Sequence, residues 1–322
     1  MRVAVLTSGG DAPGMNAAIR AVVRSALERG WQPVGVADGY EGLINGSFRE
    51  LNDRDVGGII QKGGTLLGSA RCPELHTDAG LQQAIARLGA AEIDALVVIG
   101  GNGSQAGANE LSKRGAKVVG VASTIDNDLI GCDLTIGATT ALDIALEAID
   151  RLKVTASSHH RAFLVEVMGR DCGYLALMAG LAGGAEAVLI PEVPCTVSSV
   201  AAAVHQAYRR GKSHALIVVA EGVPGGATQL ADRLTAVQDE VGFDVRLTRI
   251  GHVQRGGAPG AFDRILASRT GAGAVAALAG GRHGVMVGID CGVITETPLA
   301  SVTGKLKHVD AALLDLSRVL SR

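Results

Sequence analysis

A doubly wound α/β fold is what the sequence predicts, and three observations carry it. Seven short β-branched runs lack polar alternation, as strands buried on both faces of a parallel sheet do. Stretches with apolar residues at helical spacing separate them. Glycine-rich loops follow several of the runs, and in such folds ligands bind beyond the carboxyl ends of the strands.

Taken in order, the first strand is "RVAVLT", Arg2 to Thr7, and the helix after it "MNAAIRAVVRSALERG", Met15 to Gly30. "PVGVA" (33–37) and the helical "AGLQQAIARLGA" (79–90) follow, then the strand "DALVVIG" (94–100) and a loop that leads into a helix starting near Ser104. "AKVVGVA" (116–122) precedes the long helix "ATTALDIALEAIDRLK" (138–153). The second half repeats the theme with strands "RAFLVEVM" (161–168), "HALIVVA" (214–220) and "HGVMVGI" (283–289). Its helices are "SSVAAAVHQAYRRG" (198–211) and "RILASRTGAGAVAALAGG" (264–281). No fixed-period repeat or low-complexity tract interrupts this order, and the segment "DLTIGATTALD" is the expected domain break.

The chain has 322 residues, enough for two domains. Its formal net charge of -2 gives no reason to expect nucleic acid or an acidic membrane as a partner. Any anionic ligand must therefore be met by local basic residues. Five cysteines, an odd number without C-x-x-C spacing, fit neither a disulfide framework nor a zinc cluster and point to a reducing cytoplasm. The N-terminal stretch turns to Gly and Asp too soon for a secretory segment, and no apolar run approaches the ~18 residues of a membrane span. Glycine, at 45 of 322 residues, is about twice its usual ~7% share, and aromatics are only 2%, so tight loops and close backbone approaches are expected.

Four strand ends carry unusual chemistry. "TSGGDAPG" puts Ser8, Gly9, Gly10 and Asp11 where backbone N–H groups can meet a phosphate at a helix N-terminus. "GGNGSQAG" repeats the idea with Gly100, Gly101, Asn102, Gly103 and Ser104; its next glycine, Gly107, falls one place too late for the dinucleotide fingerprint. A phosphate cradle without a nicotinamide is the reading. In "STIDND", Asp126 and Asp128 are two apart and in extended chain share a side, which suits a base or a metal contact. The same Asp-Asn-Asp run also fits ordinary turn chemistry. The fourth feature is a set of basic residues at strand ends, Arg71, Arg161, Arg170, Arg246, His252 and Arg255, whose guanidinium forks suit phosphate.

"VLTSGGDAPGMNAAIR", "GGTLLGSAR", "VIGGNGS", "TIDND", "VEVMGR" and "GHVQRGG" occur in the order and spacing of the 6-phosphofructokinase family, which the chain resembles from Arg2 to about Gly288. The resemblance implies two Rossmann-like α/β domains with the active site in the cleft between them, 1–137 plus about 254–304 for the nucleotide and 138–253 plus about 305–322 for the sugar phosphate. It implies phosphoryl transfer from ATP to the 1-hydroxyl of fructose 6-phosphate with Mg²⁺, in a cytoplasmic homotetramer with shared active sites. Pyrophosphate as donor is the alternative, and a non-catalytic sugar-phosphate sensor is a further one.

By the same resemblance Asp126 is the base, with Thr124, Asp128, Arg71 and Arg170 completing the catalytic set. Gly10, Arg71, Cys72, Gly101, Asn102, Gly103 and Ser104 meet the nucleotide, with Asn102 as the metal contact. Thr124, Asp126, Met168, Gly169, Arg170, Glu221, His252 and Arg255 meet the sugar phosphate, and Arg161 and Arg246 reach in from a neighbouring subunit. Arg20, Arg24, Lys153, Glu186, Arg210 and Lys212 resemble an effector site for ADP or phosphoenolpyruvate. Three departures stand out. Asn102 replaces the family's Asp. Ser123 matches neither the Gly of ATP enzymes nor the Lys of pyrophosphate enzymes, whereas Gly103 leaves room that an acid would close to ATP. Asp53 stands where an Arg is common and Gly58 where an Asp is.

Overall fold

The structure is a computed structural model and describes residues 1–321. The strands and helices follow in the order β1 (Arg2–Ser8), α1 (Met15–Glu28), β2 (Gln32–Val36), α2 (Gly39–Asn45), β3 (Phe48–Glu50), α3 (Asp78–Ala90), β4 (Ala95–Gly100), α4 (Asn102–Lys113), β5 (Val118–Ala122) and α5 (Ala138–His159). The second half runs β6 (Arg161–Val167), α6 (Tyr174–Gly183), β7 (Ala187–Leu189), α7 (Val197–Arg209), β8 (Ala215–Ala220), α8 (Gly226–Ala236), α9 (Gln238–Val241) and β9 (Asp244–Arg249). Then come α10 (Ala261–Ala279), β10 (Val285–Asp290), β11 (Val293–Pro298), α11 (Leu299–Val302) and α12 (Ala311–Leu320).

The chain divides into two units. Unit 1 comprises Met1–Ile125, Leu129–Thr140 and Arg255–Leu306; unit 2 comprises Asp126–Asp128, Ala141–Gln254 and Lys307–Arg322. Unit 1 contains a seven-stranded sheet in the order β11-β10-β5-β4-β1-β2-β3. Its five inner strands are parallel, and the edge strands β3 and β11 run antiparallel to their neighbours. Every residue of β4 and β5 is buried, which is why these strands read as unbroken apolar runs. Burying side chains such as Leu96 and Ile99 completely contributes roughly 1.5–3 kcal/mol each.

Small residues let helices approach. A Cβ on Gly271 of α10 would lie 2.7 Å from the Ala18 carbonyl oxygen of α1, so a larger residue there would force the two helices apart. The alanine- and glycine-rich composition thus builds close helix pairs in place of aromatic packing. Unit 2 holds a four-stranded, wholly parallel sheet in the order β7-β8-β6-β9. Its core gathers Leu164, Ile217, Val219, Leu234 and Phe243.

Two local expectations change. The helix after β4 begins at Asn102, not near Ser104, so Asn102 is a first-turn helical residue. Asp126 and Asp128 do not lie in extended chain: Ile125 and Asp126 form a turn, and Asn127 takes a left-handed φ of 50°. Asn tolerates that region better than most residues because its short amide can bond locally, which suits the middle of Asp-Asn-Asp. Among the described residues no helix is long and apolar enough to cross a membrane.

Candidate active site

In unit 1 the strand order creates a switch point. From β1 the chain crosses through α1 to β2 on one side, and from the adjacent β4 it crosses through α4 to β5 on the other. A crevice therefore opens beyond the carboxyl ends of β1 and β4, where open α/β sheets bind ligands. Ser8 and Gly100 are register partners at those ends, so both glycine loops start from one place. Neither α1 nor α4 has a side-chain cap on its first N–H groups. Uncapped donors at the positive end of a helix suit an anion.

Buried polar residues fix these loops. Gln105, fully buried, donates from Nε2 to the carbonyl oxygens of Gly100 (2.9 Å) and Val121 (3.2 Å), clamping the ends of β4 and β5. The Tyr40 hydroxyl donates to the Ser104 carbonyl at 2.6 Å, and burial holds its phenol far above the usual range. Asn16 accepts from Leu66 N at 2.6 Å and donates to the Lys62 and Gly63 carbonyls, while Thr7 Oγ1 donates to the Gly68 carbonyl at 2.8 Å. This ties the stretch before Arg71 along the end of β1. Ser69 Oγ donates to the Gly9 carbonyl at 2.7 Å, and the exposed Arg71 follows two residues on. Cys72 is half-buried, and burial is the main cause of its raised thiol pKa.

Thr124 comes to the same place from β5. A Cβ on Gly101 would lie 3.3 Å from Thr124 Cβ, so the first residue of "TIDND" packs on the residue before α4. Thr135 Oγ1 donates to the Thr124 carbonyl at 2.6 Å, and Ile136 N donates to the Ala122 carbonyl at 3.1 Å. Gly103 faces open space, with nothing within 4 Å of where a Cβ would stand. Ser123 is buried and its hydroxyl has no hydrogen-bond partner among the described residues. The Asn102 Nδ2 is likewise shielded and without a partner among them.

In unit 2 the carboxyl ends of β6, β8 and β9 bring together Met168, Gly169 and Arg170, Glu221, and His252. The loop after β6 is pinned from both neighbours. Glu221 N donates to the Val167 carbonyl at 2.9 Å and Gly222 N to the Gly169 carbonyl at 3.0 Å. A Cβ on Gly222 would sit 2.6 Å from the Arg170 carbonyl carbon, so only glycine admits this approach. Arg170, Glu221 and His252 are exposed, their side chains open to solvent.

Asp126 and Asp128, half-buried, belong to this unit. Lys307 N donates to the Asp128 carbonyl at 2.8 Å and Lys307 Nζ to Asn127 Oδ1 at 3.4 Å. The buried Cys172 thiol is pushed up to about 12, chiefly by burial, with the Glu192 and Asp128 carboxylates adding to it. Asp128 is thereby placed beside the loop that carries Arg170.

Arg161 and Arg246 lie elsewhere. Both pair with Asp244, at 3.4 and 2.6 Å. Arg161 opens β6, whereas Met168 follows its end, a strand length of roughly 20 Å at about 3.3 Å per residue. Within one chain they do not join the Arg170 group.

Arg255 also departs from expectation, because its guanidinium lies over Gly10 in unit 1 and Nη1 donates to the Asp11 carbonyl at 3.2 Å.

Of the effector candidates, unit 2 gathers Lys153, Glu186 and Lys212 at the amino ends of β7 and β8. Lys212 Nζ donates to the buried Glu186 carboxylate at 2.7 Å, and Lys153 Nζ to the Gly183 carbonyl at 2.9 Å. Burial lowers the pKa of the adjoining His214, with the Lys153 and Lys212 charges acting the same way against Glu186. Arg210 Nη2 bonds the Ser321 carbonyl at 3.3 Å. In unit 1, Arg20 and Arg24 lie one turn apart on α1, and Arg24 pairs with Asp53 at 3.7 Å. The acid standing where an Arg is common thus opposes one cation of the proposed effector set.

Three site residues escaped sequence reasoning. Gln254 is fully buried, accepts from Met168 N at 2.8 Å and donates to the Ala141 carbonyl at 3.2 Å. Glu192 accepts from Gly173 N, the residue before α6, at 2.9 and 3.0 Å. Asp263, buried in the first turn of α10, accepts from Gly137 N (2.8 Å), Thr140 N (2.8 Å) and Thr140 Oγ1 (2.6 Å), serving the N-terminus of α5. An acid in a helix's first turn reads from sequence only as support for its own helix.

A phosphofructokinase family model matches residues 2–278. The chain is 52% identical over 322 residues to ATP-dependent 6-phosphofructokinase 1 of Thermus thermophilus, covering 99% of both chains. It is 48% identical over 320 residues to an ATP-dependent 6-phosphofructokinase of Listeria welshimeri, again covering 99% of both. Among solved structures it is similar to phosphofructokinase from Saccharomyces cerevisiae, with a TM-score of 0.86 and 40% identity over 94% of this chain and 45% of that one.

Proposed function

The chain belongs to the phosphofructokinase family, and from that premise we propose how its residues divide the work of moving the terminal phosphoryl group of ATP to the 1-hydroxyl of fructose 6-phosphate. Asp126 accepts the hydroxyl proton as the sugar oxygen forms its bond to the γ-phosphorus. The bond from that phosphorus to the bridging oxygen breaks, and ADP leaves with the electron pair. Arg71 and Arg170 offset the charge that spreads over the travelling group, and the N–H groups at the starts of α1 and α4 hold the phosphate chain. Thr124 positions the reacting oxygens. Met168, Gly169, Glu221 and His252 hold the sugar phosphate.

The observation that carries this reading is that Thr124 packs on Gly101 at the uncapped start of α4, with Asp126 two residues further along the chain. The open space at Gly103 suits ATP, since nothing stands where an acid would repel the α-phosphate. A coupled assay with fructose 6-phosphate, run in parallel with ATP and with pyrophosphate, tests it. Turnover with ATP is expected, and turnover with pyrophosphate alone would overturn the donor assignment.

Mg²⁺ fits the residues present through Asn102. Its shielded amide nitrogen lacks a partner among the described residues, and turning the amide over presents an oxygen instead. Mg²⁺ accepts hard oxygens and keeps several waters, so a neutral amide leaves the substrate phosphates to hold most of the ion. When bound, the ion neutralises charge on the phosphate oxygens. Changing Asn102→Asp is expected to lower the Mg²⁺ concentration needed for half-maximal rate and to tighten Mn²⁺ binding read by electron paramagnetic resonance. No change in either would count against the contact.

A cytoplasmic homotetramer completes the proposal. Its support is the placement of Arg161 and Arg246, which Asp244 holds a strand length from Met168, where a neighbouring subunit has use for them. The Lys153, Glu186 and Lys212 cluster is the proposed effector site.

A further inference from the structure

Arg255 and Gln254 are consecutive, yet they serve different substrate loops. Gln254 is fully buried and accepts from Met168 N, fixing the loop proposed to hold the sugar phosphate. Arg255 is half-buried and turns to the loop after β1. Its Nη1 donates to the Asp11 carbonyl at 3.2 Å, and its Cζ lies 2.8 Å from where a Cβ on Gly10 would stand. The family resemblance assigns Arg255 to the sugar phosphate; its position in unit 1 is against the glycines of the nucleotide loop.

We propose that Arg255 is a ligand of the nucleotide's phosphate chain, a reading that rests on the assignment of the Gly10 loop to ATP. Three features converge. The missing side chain at Gly10 is what gives the guanidinium its seat, so any side chain there would collide with it. Only Nη1 is engaged by a protein carbonyl, which leaves the guanidinium's remaining N–H donors for further acceptors. The adjoining start of α1 has no side-chain cap, so a phosphate at Gly10 meets a delocalised cation and helix N–H groups together. Because the next residue back anchors Met168, whatever shifts Arg255 also pulls on the sugar-phosphate loop, and each substrate then alters the affinity of the other.

Isothermal titration of ATP with Mg²⁺ into the whole enzyme, without fructose 6-phosphate, tests this. Arg255→Ala is expected to weaken ATP binding roughly ten- to a hundredfold, the range for losing a hydrogen bond to a charged group. Arg255→Lys, which keeps the charge but loses the fork, is expected to fall between it and the parent. Unchanged thermal unfolding in either variant shows that the fold is intact, and the lysine variant serves if the alanine one is unstable. ATP affinity equal to the parent's in both variants, with fructose 6-phosphate binding lost, overturns the inference and leaves the family assignment of Arg255 standing. A parent enzyme that binds neither ligand overturns the reading of the site itself.

Discussion

Replacing Asp126 by Asn is expected to lower kcat by about 10²- to 10⁴-fold, the range that a positioned general base contributes. The amide has the same shape and can still bond the sugar hydroxyl, but it cannot take the proton. The turn at Ile125–Asp126 and the left-handed Asn127 aim this side chain through the backbone, so the substitution leaves the loop's course unchanged. Binding of ATP is therefore expected to stay at the parent's level. Residual activity should remain, because Arg71, Arg170 and the helix N–H groups still stabilise the transferring group. Steady-state kinetics with both substrates varied is the measurement. A fall in kcat of less than about tenfold would show that the carboxylate is not the base.

The second large effect is on stability. Asp263→Ala is expected to lower the stability of unit 1 by about 3–5 kcal/mol. Two backbone N–H groups and the Thr140 hydroxyl lose their acceptor in a buried place, at roughly 1–3 kcal/mol for each donor left unmade. The carboxylate also sits at the positive end of α5, whose first turn it serves from α10. Calorimetry should show the first unfolding transition falling by roughly 10 °C. Two units need not unfold together, so the transition that moves identifies the one destabilised. Because Thr135 and Ile136 hold the end of β5 just before this helix, kcat is expected to fall in the folded variant as well.

Much of the architecture was legible because buried parallel strands leave a strong mark. β1, β4, β5, β6 and β8 are apolar throughout or nearly so, and each was readable as a run. β9 was not, because "DVRLTR" is an edge strand whose exposed face carries Arg246 and Arg249. β11, "VITETP", is an antiparallel edge and equally polar on one side. α6 escaped for the opposite reason: "YLALMAGLAG" is apolar all round, so no helical period emerges. In the site, the glycine loops and "TIDND" declared themselves by composition. Gln105, Glu192, Gln254 and Asp263 did not, since each matters only through a partner, and for the last two that partner is more than eighty residues away in sequence. Arg255 was legible as a phosphate-binding residue type but not in its placement, because which loop a long side chain turns toward leaves no trace in a motif.

The interleaving of the two units bears on how the enzyme comes off the ribosome. β5 obtains its neighbour β10, and α1 its neighbour α10, only after β6 to β9 have been synthesised. Until then the growing chain presents an unpaired strand edge and a greasy helix flank, the surfaces through which nascent proteins clump. Closing the larger sheet depends on pairing between distant stretches, which makes it a slow step. Unit 2, mostly continuous in the chain, can condense first. Production in a heterologous host should accordingly gain from slower translation and added chaperone more than from any change to the catalytic residues.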